Sequence, residues 1–210
     1  MATYVNPLDD IRQWDGMACE TACTAQLLYM YGKLKFPFDE KAFDARIGRS
    51  PGQADLCSGN LRVLFEEGFR VSEVSPADLH RIVTDVSYVR DKWISLGMEA
   101  GEVDAALLRI YPKLRERILH RIAVIDRYAD KYERSTRESN WLDVVAMMED
   151  GYHVGCHIQR GTGTTHQLLI VGSLGADTYQ VFVPDDGVRA MRENELASSL
   201  LSGIEGFRLA

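Results

Sequence analysis

The hydrophobic pattern of this chain changes at about Ser139, and the change limits the folds that the sequence can adopt. Before that point, apolar residues recur every three or four positions, which is typical of helices. This spacing predicts helices at Cys19–Met30, at Glu40–Ile47 and at residues 60–67, followed by a short strand at Phe69–Val74. The first part of the chain is therefore predicted to be mostly helical.

Strand-like segments dominate the remainder. One more helix, WLDVVAMMED, is predicted directly after Ser139 or Asn140, and either residue can cap it. The segments YHVGCHIQ, HQLLIVG and TYQVFV then have the composition of strands, and their turn-rich links suit an antiparallel meander. A helix near residues 193–201 and a strand at GFRLA end the chain. Helices first and strands last predict an α+β fold.

A helical insertion is predicted at about residues 75–140, inside a single domain that spans residues 1–210. Ser75 and Pro76 match the cap and the first position of its first helix. The remaining sequence on both sides of the insertion supplies the strands and the helices described above. The length of the chain is sufficient for one core with a subdomain attached.

The longest part of this insertion, residues 102–137, has an amphipathic pattern that Pro112 is expected to divide or kink. From Arg109 to Arg137 there are nine Lys or Arg against four Asp or Glu. Charged helix faces are mostly solvated, so a helical subdomain packed on the core is one interpretation. A surface for an acidic protein partner or for a membrane is the other.

Net charge and apolar content exclude several classes of protein. The net charge of −7 argues against a nucleic-acid-binding protein, because such binding depends largely on neutralising phosphates. No apolar run approaches the roughly 18 residues that cross a bilayer, and the first residues lack the basic and apolar parts of a signal peptide. We therefore expect no transmembrane segment, and a protein that is cytoplasmic or exported without a classical signal peptide.

The four cysteines, at positions 19, 23, 57 and 156, are few for this length and indicate a reducing compartment. Cys23, Cys57 and Cys156 are interpreted as core or edge thiols. His153 and His157 lie four residues apart in a strand-like segment, and we expect both at the surface. Their spacing suits metal binding on a helix rather than on a strand. We predict neither a metal site nor a cofactor.

Cys19 is the candidate nucleophile. It begins the helical segment CETACTAQLLYMYG, and the N–H groups and dipole at a helix start favour the thiolate, which is the nucleophilic form of cysteine. Gln13 precedes Cys19 by six residues and can supply an amide donor for a developing oxyanion. The alternative interpretation is that Cys19 is a small buried residue of the helix.

His166 and one of two aspartates are the candidate partners of this thiol. His166 stands at the start of HQLLIVG, whereas Asp185 and Asp186 follow the next strand in the turn-like sequence PDDG. An imidazole can exchange a proton with a thiol, and an acid can orient the imidazole. Taken singly, His166 would be a surface histidine and Asp185 a turn residue, so both interpretations stay open on the residues alone.

The order of these segments resembles the papain-like cysteine peptidases, and most closely the double-glycine leader peptidases that process bacteriocins. The resemblance lies in a Gln shortly before a Cys, a small pair four positions later, and a helix that ends in Tyr-Gly. The matching residues are Gln13, Cys19, Ala22, Cys23, Tyr31 and Gly32. The segment CSGNLRVLFEEGF, His166 at the start of its strand, and Asp185 after the following strand also match.

This resemblance implies a papain-like arrangement, with an N-terminal helical lobe that carries the Cys and a C-terminal antiparallel sheet that carries the His and the Asp. It implies a cysteine peptidase or amide hydrolase that acts on a peptide substrate. Cys19, His166 and Asp185 would form its catalytic triad and an acyl-enzyme, and Gln13 would bind the oxyanion.

Three departures from the family pattern keep alternatives open. The family has Asp-Cys-Gly at the nucleophile, whereas this chain has Ala18, Cys19 and Glu20. A Pro normally follows the family's acid, but here Pro184 precedes Asp185. The helical insertion has no counterpart in the family. A catalytically inactive peptide-binding module, with the insertion as its interaction surface, is therefore one alternative, and an acyl transferase that uses the same triad is another.

Overall fold

In the computed structural model, the described residues are 11–16, 18–35, 37–52, 57–95, 97–160 and 164–210. The helices are α1 Cys19–Met30, α2 Glu40–Ile47, α3 Cys57–Glu66, α4 Leu79–Thr84, α5 Val86–Ser95, α6 Ala100–Arg127, α7 Trp141–Glu149 and α8 Glu193–Ser199. The strands are β1 Phe69–Val74, β2 Tyr132–Ser135, β3 His153–Arg160, β4 Thr164–Gly175, β5 Thr178–Val183, β6 Gly187–Arg192 and β7 Leu200–Leu209. The predicted α+β class is confirmed.

The described strands form one mixed sheet in the order β2-β1-β7-β3-β4-β5-β6. The predicted antiparallel meander of β3, β4 and β5 is present, and β6 extends it by one more antiparallel strand. The closing strand β7 does not lie at the end of this meander. It is inserted between β1 and β3 and runs antiparallel to both, which joins the N-terminal strand to the C-terminal sheet.

The sequence did not predict the two edge strands, β2 and β6. The strand β2 has the sequence YERS and pairs in parallel with β1, and β6 has the sequence GVRAMR. Each is short, and most of its side chains are partly or fully exposed. Edge strands bury little surface, so they lack the hydrophobic alternation that identifies a strand in a sequence.

Two predicted helix starts are wrong by several residues. The helix α3 begins at Cys57 rather than at position 60. The helix predicted to begin at Ser75 and Pro76 begins instead at Leu79, where the Asp78 side chain accepts a hydrogen bond from the Arg81 N–H. Ser75 donates its own N–H to the Ser135 carbonyl at 3.1 Å, so it belongs to the pairing of β1 with β2.

The long helix α6 differs from the prediction in two respects. It continues through Pro112, which is exposed, so the unused carbonyl of Leu108 one turn earlier can bond water in place of the missing N–H. The helix also ends earlier than predicted, because a short 3₁₀ turn at Ala129–Lys131 leads into β2. The prediction of helix to about residue 137 is therefore wrong at its C-terminal end.

The helix α1 is buried on nearly every side, from Thr21 to Leu28 and at Met30. It contacts β4, whose residues Leu168–Val171 are also buried. Burial on nearly every side, which includes the polar Thr21, Thr24 and Gln26, places α1 in the core. A second cluster, in which α7 supplies Val144 and Met147, includes residues of β3, β4, β5 and β7.

The chain divides into two compact units. The first comprises the residues up to Pro76 together with Asp130–Ala210, and the second comprises Ala77–Ala129, with the helices α4, α5 and α6. The second unit has a small core of its own, formed by Val89, Val103 and Leu107. Among the helices of the described ranges, none combines the length and the apolar composition that crossing a membrane requires.

Candidate active site

Cys19 is the first residue of α1, as predicted. Its N-cap residue, Ala18, is buried and supplies no side-chain acceptor to the first turn of the helix. The dipole of α1 therefore meets the Cys19 region without a capping oxygen from Ala18. The thiol is reduced and half-buried. Glu20 follows Cys19 and adds an acidic residue to the first turn of the helix.

His166 and Asp185 lie beside each other. His166 is on β4, paired with Ile158 of β3, and Asp185 is in the turn that follows β5. The His166 Nε2 atom lies 3.2 Å from the Asp185 Oδ1 atom. The contact has ion-pair distance but not the angle of a regular hydrogen bond. The His166 side chain is 13% exposed and that of Asp185 is 42% exposed.

The two aspartates of the PDDG turn have different neighbours. Asp185 faces the His166 ring, whereas the Asp186 Oδ2 atom accepts a hydrogen bond from the Arg189 Nη1 atom at 2.8 Å. The Asp186 N–H closes the turn by donating to the Val183 carbonyl at 2.9 Å. Asp185 is therefore the aspartate that can orient the imidazole.

Gln13 lies against the same turn. Its backbone N–H donates to the Pro184 carbonyl at 2.6 Å, one residue before Asp185. The Gln13 Oε1 atom is buried and makes no hydrogen bond to any residue in the described ranges. The guanidinium of the neighbouring Arg12 packs on Gly187, whose φ of 87° lies in the left-handed region that favours glycine.

A buried arginine holds the segment between Gln13 and Cys19. The Arg49 side chain is 0% exposed and donates to Asp15 at 2.6 Å and to Asp44 at 2.8 Å. Burial alone would lower the pKa of Arg49, but the hydrogen bonds and charges of Asp15 and Asp44 outweigh it and raise the pKa. No pattern in the sequence connects these three residues, so the sequence did not reveal this anchor.

The first turn of α1 lies close to the strand that carries His166. The thiol of Cys23, one turn after Cys19, donates to the Gln167 carbonyl at 3.8 Å, and Gln167 is the residue after His166. One helical turn advances about 5.4 Å along the axis. The start of α1 is thus near the His166 end of β4. Cys23 is buried, as predicted.

The other histidines and cysteines considered from the sequence differ in their burial. His157 is exposed as expected, but the prediction of a surface position for His153 is wrong, because it is buried. Cys156 is buried, and burial raises the pKa of its thiol to about 12. The Cys57 side chain lies outside the part of the structure that is described. In the described ranges, no three or more His, Cys, Asp or Glu side chains form a group that could bind a metal.

Comparison with known proteins gives no matching family and no matching characterised sequence. Among solved structures, the chain is similar to the peptidase domain of Streptococcus ComA, a bifunctional ABC transporter of a quorum-sensing pathway. The two are 13% identical, and the similarity covers 95% of this chain and 97% of that chain with a TM-score of 0.46.

Two further solved structures are similar. One is a double-glycine motif protease from an AMS/PCAT transporter in complex with its leader peptide, with 10% identity, coverage of 99% and 94% and a TM-score of 0.49. The other is the Streptococcus mutans ComA peptidase domain, with 11% identity, coverage of 96% and 99% and a TM-score of 0.40. At this level of similarity, the chemistry has to be derived from the residues of this chain.

Proposed function

We propose that this chain is a papain-like cysteine peptidase or amide hydrolase that acts on a peptide substrate. Cys19 would be its nucleophile, His166 its general acid and base, and Asp185 the residue that orients the imidazole. The single observation that carries the proposal is the 3.2 Å contact between the His166 Nε2 and Asp185 Oδ1 atoms. The strand that carries His166 lies beside the first turn of the helix that begins at Cys19.

The proposed reaction follows from the protonation states of these groups. The Cys19 thiolate attacks the carbonyl carbon of the substrate while His166 carries a proton on the nitrogen that faces the sulfur. His166 then donates this proton to the leaving amine, which leaves an acyl-enzyme on Cys19. A water molecule, deprotonated by His166, then attacks the acyl carbon. The C–S bond breaks, the acid product leaves, and the Cys19 thiolate and the protonated His166 are restored. Asp185 holds the ring through Nε2 throughout, without taking up the proton.

Gln13 would assist this reaction by stabilising the oxyanion. Its Oε1 atom is buried without a hydrogen bond from a described residue, and its backbone is fixed to the turn next to Asp185. The amide Nε2 group, together with the Cys19 backbone N–H, would donate to the oxygen that becomes charged in the tetrahedral intermediate. Removing one such donor typically costs on the order of 10² to 10³ in rate.

A second candidate function is a peptide-binding module with this fold and no catalysis. The observation that favours it is Glu20, an acidic residue in the first turn of α1, which also carries Cys19. A negative charge there opposes formation of a thiolate. An acyl transferase would retain the whole mechanism above and would differ only in the nucleophile that receives the acyl group.

We also propose that the second unit binds a protein partner. On α6, Arg109, Lys113 and Arg117 are exposed and four residues apart, so they share one face of the helix. Leu108, which is 86% exposed, lies beside this face. A partner with acidic and apolar residues would match both features. Reversal of the Lys113 charge, K113E, should release such a partner without changing turnover by Cys19.

Cys19, Cys23 and Cys156 are reduced, which accords with a reducing compartment. We therefore place the proposed activity in the cytoplasm of the producing cell, or in a cell to which the protein is exported without a classical signal peptide.

The decisive experiment compares wild type, Cys19→Ala and Cys156→Ala on a panel of internally quenched peptides and amides. We expect Cys19→Ala to lose turnover and Cys156→Ala to keep it. In wild type, mass spectrometry should find an acyl adduct on the peptide that contains Cys19. Cys156→Ala is the matched control, because it removes a buried thiol with a pKa of about 12. Equal turnover by wild type and Cys19→Ala would contradict the proposal. Transfer of the acyl group to an added amine would identify a transferase.

A further inference from the structure

A cleft opens beside the C-terminal end of α1, in the first unit. Its volume is about 580 Å³, which is within the usual range for small-ligand sites. The residues that the inference uses are Tyr31, Met148, Tyr152, His153, Tyr179 and Arg208. Three tyrosine rings, one imidazole, one thioether and one guanidinium group thus line the same cleft.

This cleft is remote from Cys19 and His166. Tyr31 follows the last residue of α1, and a helix of this length extends about 18 Å from Cys19. Along β4, the lining residue Ser173 is seven positions after His166, or about 23 Å away in an extended strand. Both elements therefore separate the cleft from the proposed catalytic groups by a similar distance.

His153 forms part of the wall of the cleft, and its hydrogen bonds fix the direction of a neighbouring hydroxyl. The Nδ1 atom lies 3.0 Å from the Val171 carbonyl, and the Nε2 atom lies 3.0 Å from the Tyr31 hydroxyl. Since a carbonyl only accepts, Nδ1 must carry the proton, and Nε2 then accepts from Tyr31. Burial lowers the pKa of His153 to about 4, so the ring is neutral at pH 7.

Arg208 is held in place but not saturated. Its guanidinium lies 4.5 Å from the centroid of the Tyr152 ring, and its Nη1 atom donates to the Asp150 carbonyl at 3.0 Å. A guanidinium has five N–H donors, so several are left for a ligand. Glu149 is exposed and also lines the cleft, which reduces the net attraction for an anion.

We propose that this cleft binds an aromatic ring that carries a carboxylate. The ring packs among Tyr31, Tyr152 and Tyr179 in offset or edge-on contact, and the carboxylate accepts hydrogen bonds from Arg208. Two sources offer this chemistry: a free aromatic acid, and the C-terminal aromatic residue of a peptide. The cleft is independent of the proposed catalysis, since it shares none of the groups that would carry out the reaction.

Nuclear magnetic resonance titration can test the proposal with defined probes. The probes are N-acetyl-tyrosine, its amide, N-acetyl-leucine, and a tetrapeptide that ends in a free Tyr. N-acetyl-tyrosine should shift the Gly151 and Gly172 amides at millimolar concentration, and its amide should bind about tenfold more weakly, because one charge-assisted contact is lost. N-acetyl-leucine should not bind measurably. A tetrapeptide that binds at least tenfold more tightly than N-acetyl-tyrosine would indicate a peptide end, and equal affinity a free acid.

Variants separate the two parts of the proposed contact. Arg208→Met should abolish the preference for the acid over the amide while the ring still binds, and Arg208→Lys should keep part of the preference if the Met variant does not fold. Glu149→Gln should bind the acid more tightly, and Cys19→Ala should bind it as wild type does. The proposal is wrong if the acid and amide bind equally to wild type, or if the shifts occur near His166 rather than at Gly151 and Gly172.

Discussion

His153 and His166 lie on neighbouring strands of one sheet, yet their surroundings differ. His153 is 6% exposed and is hydrogen-bonded to a carbonyl and a tyrosine hydroxyl, and burial lowers its pKa to about 4. His153 lies beside Val171 of β4, whereas His166 is near the start of that strand, beside the half-exposed carboxylate of Asp185. The first environment fixes a neutral ring in one tautomer. The second places a carboxylate at ion-pair distance from a ring that is 13% exposed. Partners and burial therefore distinguish a structural histidine from one suited to catalysis.

The largest expected difference between the two histidines is the effect of replacing His166 on the rate of reaction. Replacement by Ala should lower kcat/KM for a cleaved peptide by about 10⁴-fold or more, since both proton transfers depend on this ring. Steady-state kinetics will measure it. His157→Ala is the matched control, because it removes an exposed imidazole from the adjacent strand. A kcat/KM of His166→Ala within tenfold of the wild-type value would show that His166, like His153, has no catalytic role.

Asp185→Asn should have the next largest effect. An amide cannot stabilise the imidazolium that forms during the reaction, and losses of about 10² to 10⁴ in kcat are expected. Asp186→Asn changes the same charge in the same turn but at a carboxylate paired with Arg189, so kcat should stay near the wild-type value. Equal losses in the two variants would show that the turn, rather than the Asp185 contact, matters.

Gln13→Ala should reduce kcat by about 10² to 10³ and leave KM nearly unchanged, because the lost donor acts on the transition state. The backbone bond from Gln13 to the Pro184 carbonyl does not depend on the side chain, so the turn should be preserved. Gln13→Glu serves as a second variant of similar size. A rise in KM alone would instead assign Gln13 to substrate binding.

The smallest effect is one of stability, and it belongs to His153. Its pKa is about 4 in the folded protein and about 6.5 when unfolded, so between these values the unfolded chain binds a proton that the native state does not. The free energy of unfolding should therefore fall by on the order of 3 kcal/mol as the pH is lowered through this window, and the fall should stop below a pH of about 4.

Urea denaturation of wild type and His153→Gln over this pH range measures the contribution of His153. The difference between the two proteins should shrink as the pH falls, because only wild type has the histidine to protonate. Parallel pH profiles for the two proteins would show that His153 is not held neutral.

The sequence predicted two of the N-terminal helices with their observed bounds. The apolar run from Cys19 gave α1 with its observed bounds, and the Gly-ended run at Glu40–Ile47 gave α2. Nearly every side chain of α1 packs in a core, whereas α2 buries only Phe43, Asp44 and Ile47. The strands β2 and β6 have little buried surface, so their sequences resemble loops and neither was predicted.

Tertiary contacts account for what the sequence did not show at the site. The burial of His153 arises from Tyr31 and Val171, which are distant in the chain, and alternation along a strand could not reveal it. The choice of Asp185 over Asp186 depended on which carboxylate turns toward β4. The anchoring of Asp15 by Arg49 similarly joins residues 34 positions apart.

The rate at which iodoacetamide alkylates Cys19, measured against pH, tests the central claim most directly. Peptide mass spectrometry resolves Cys19 from Cys156, which serves as the unreactive internal reference. The account predicts an apparent pKa for Cys19 well below the ordinary value of about 8.5, and a rise toward that value in His166→Ala. An apparent pKa of about 8.5 or higher in wild type, unchanged by His166→Ala, would contradict it.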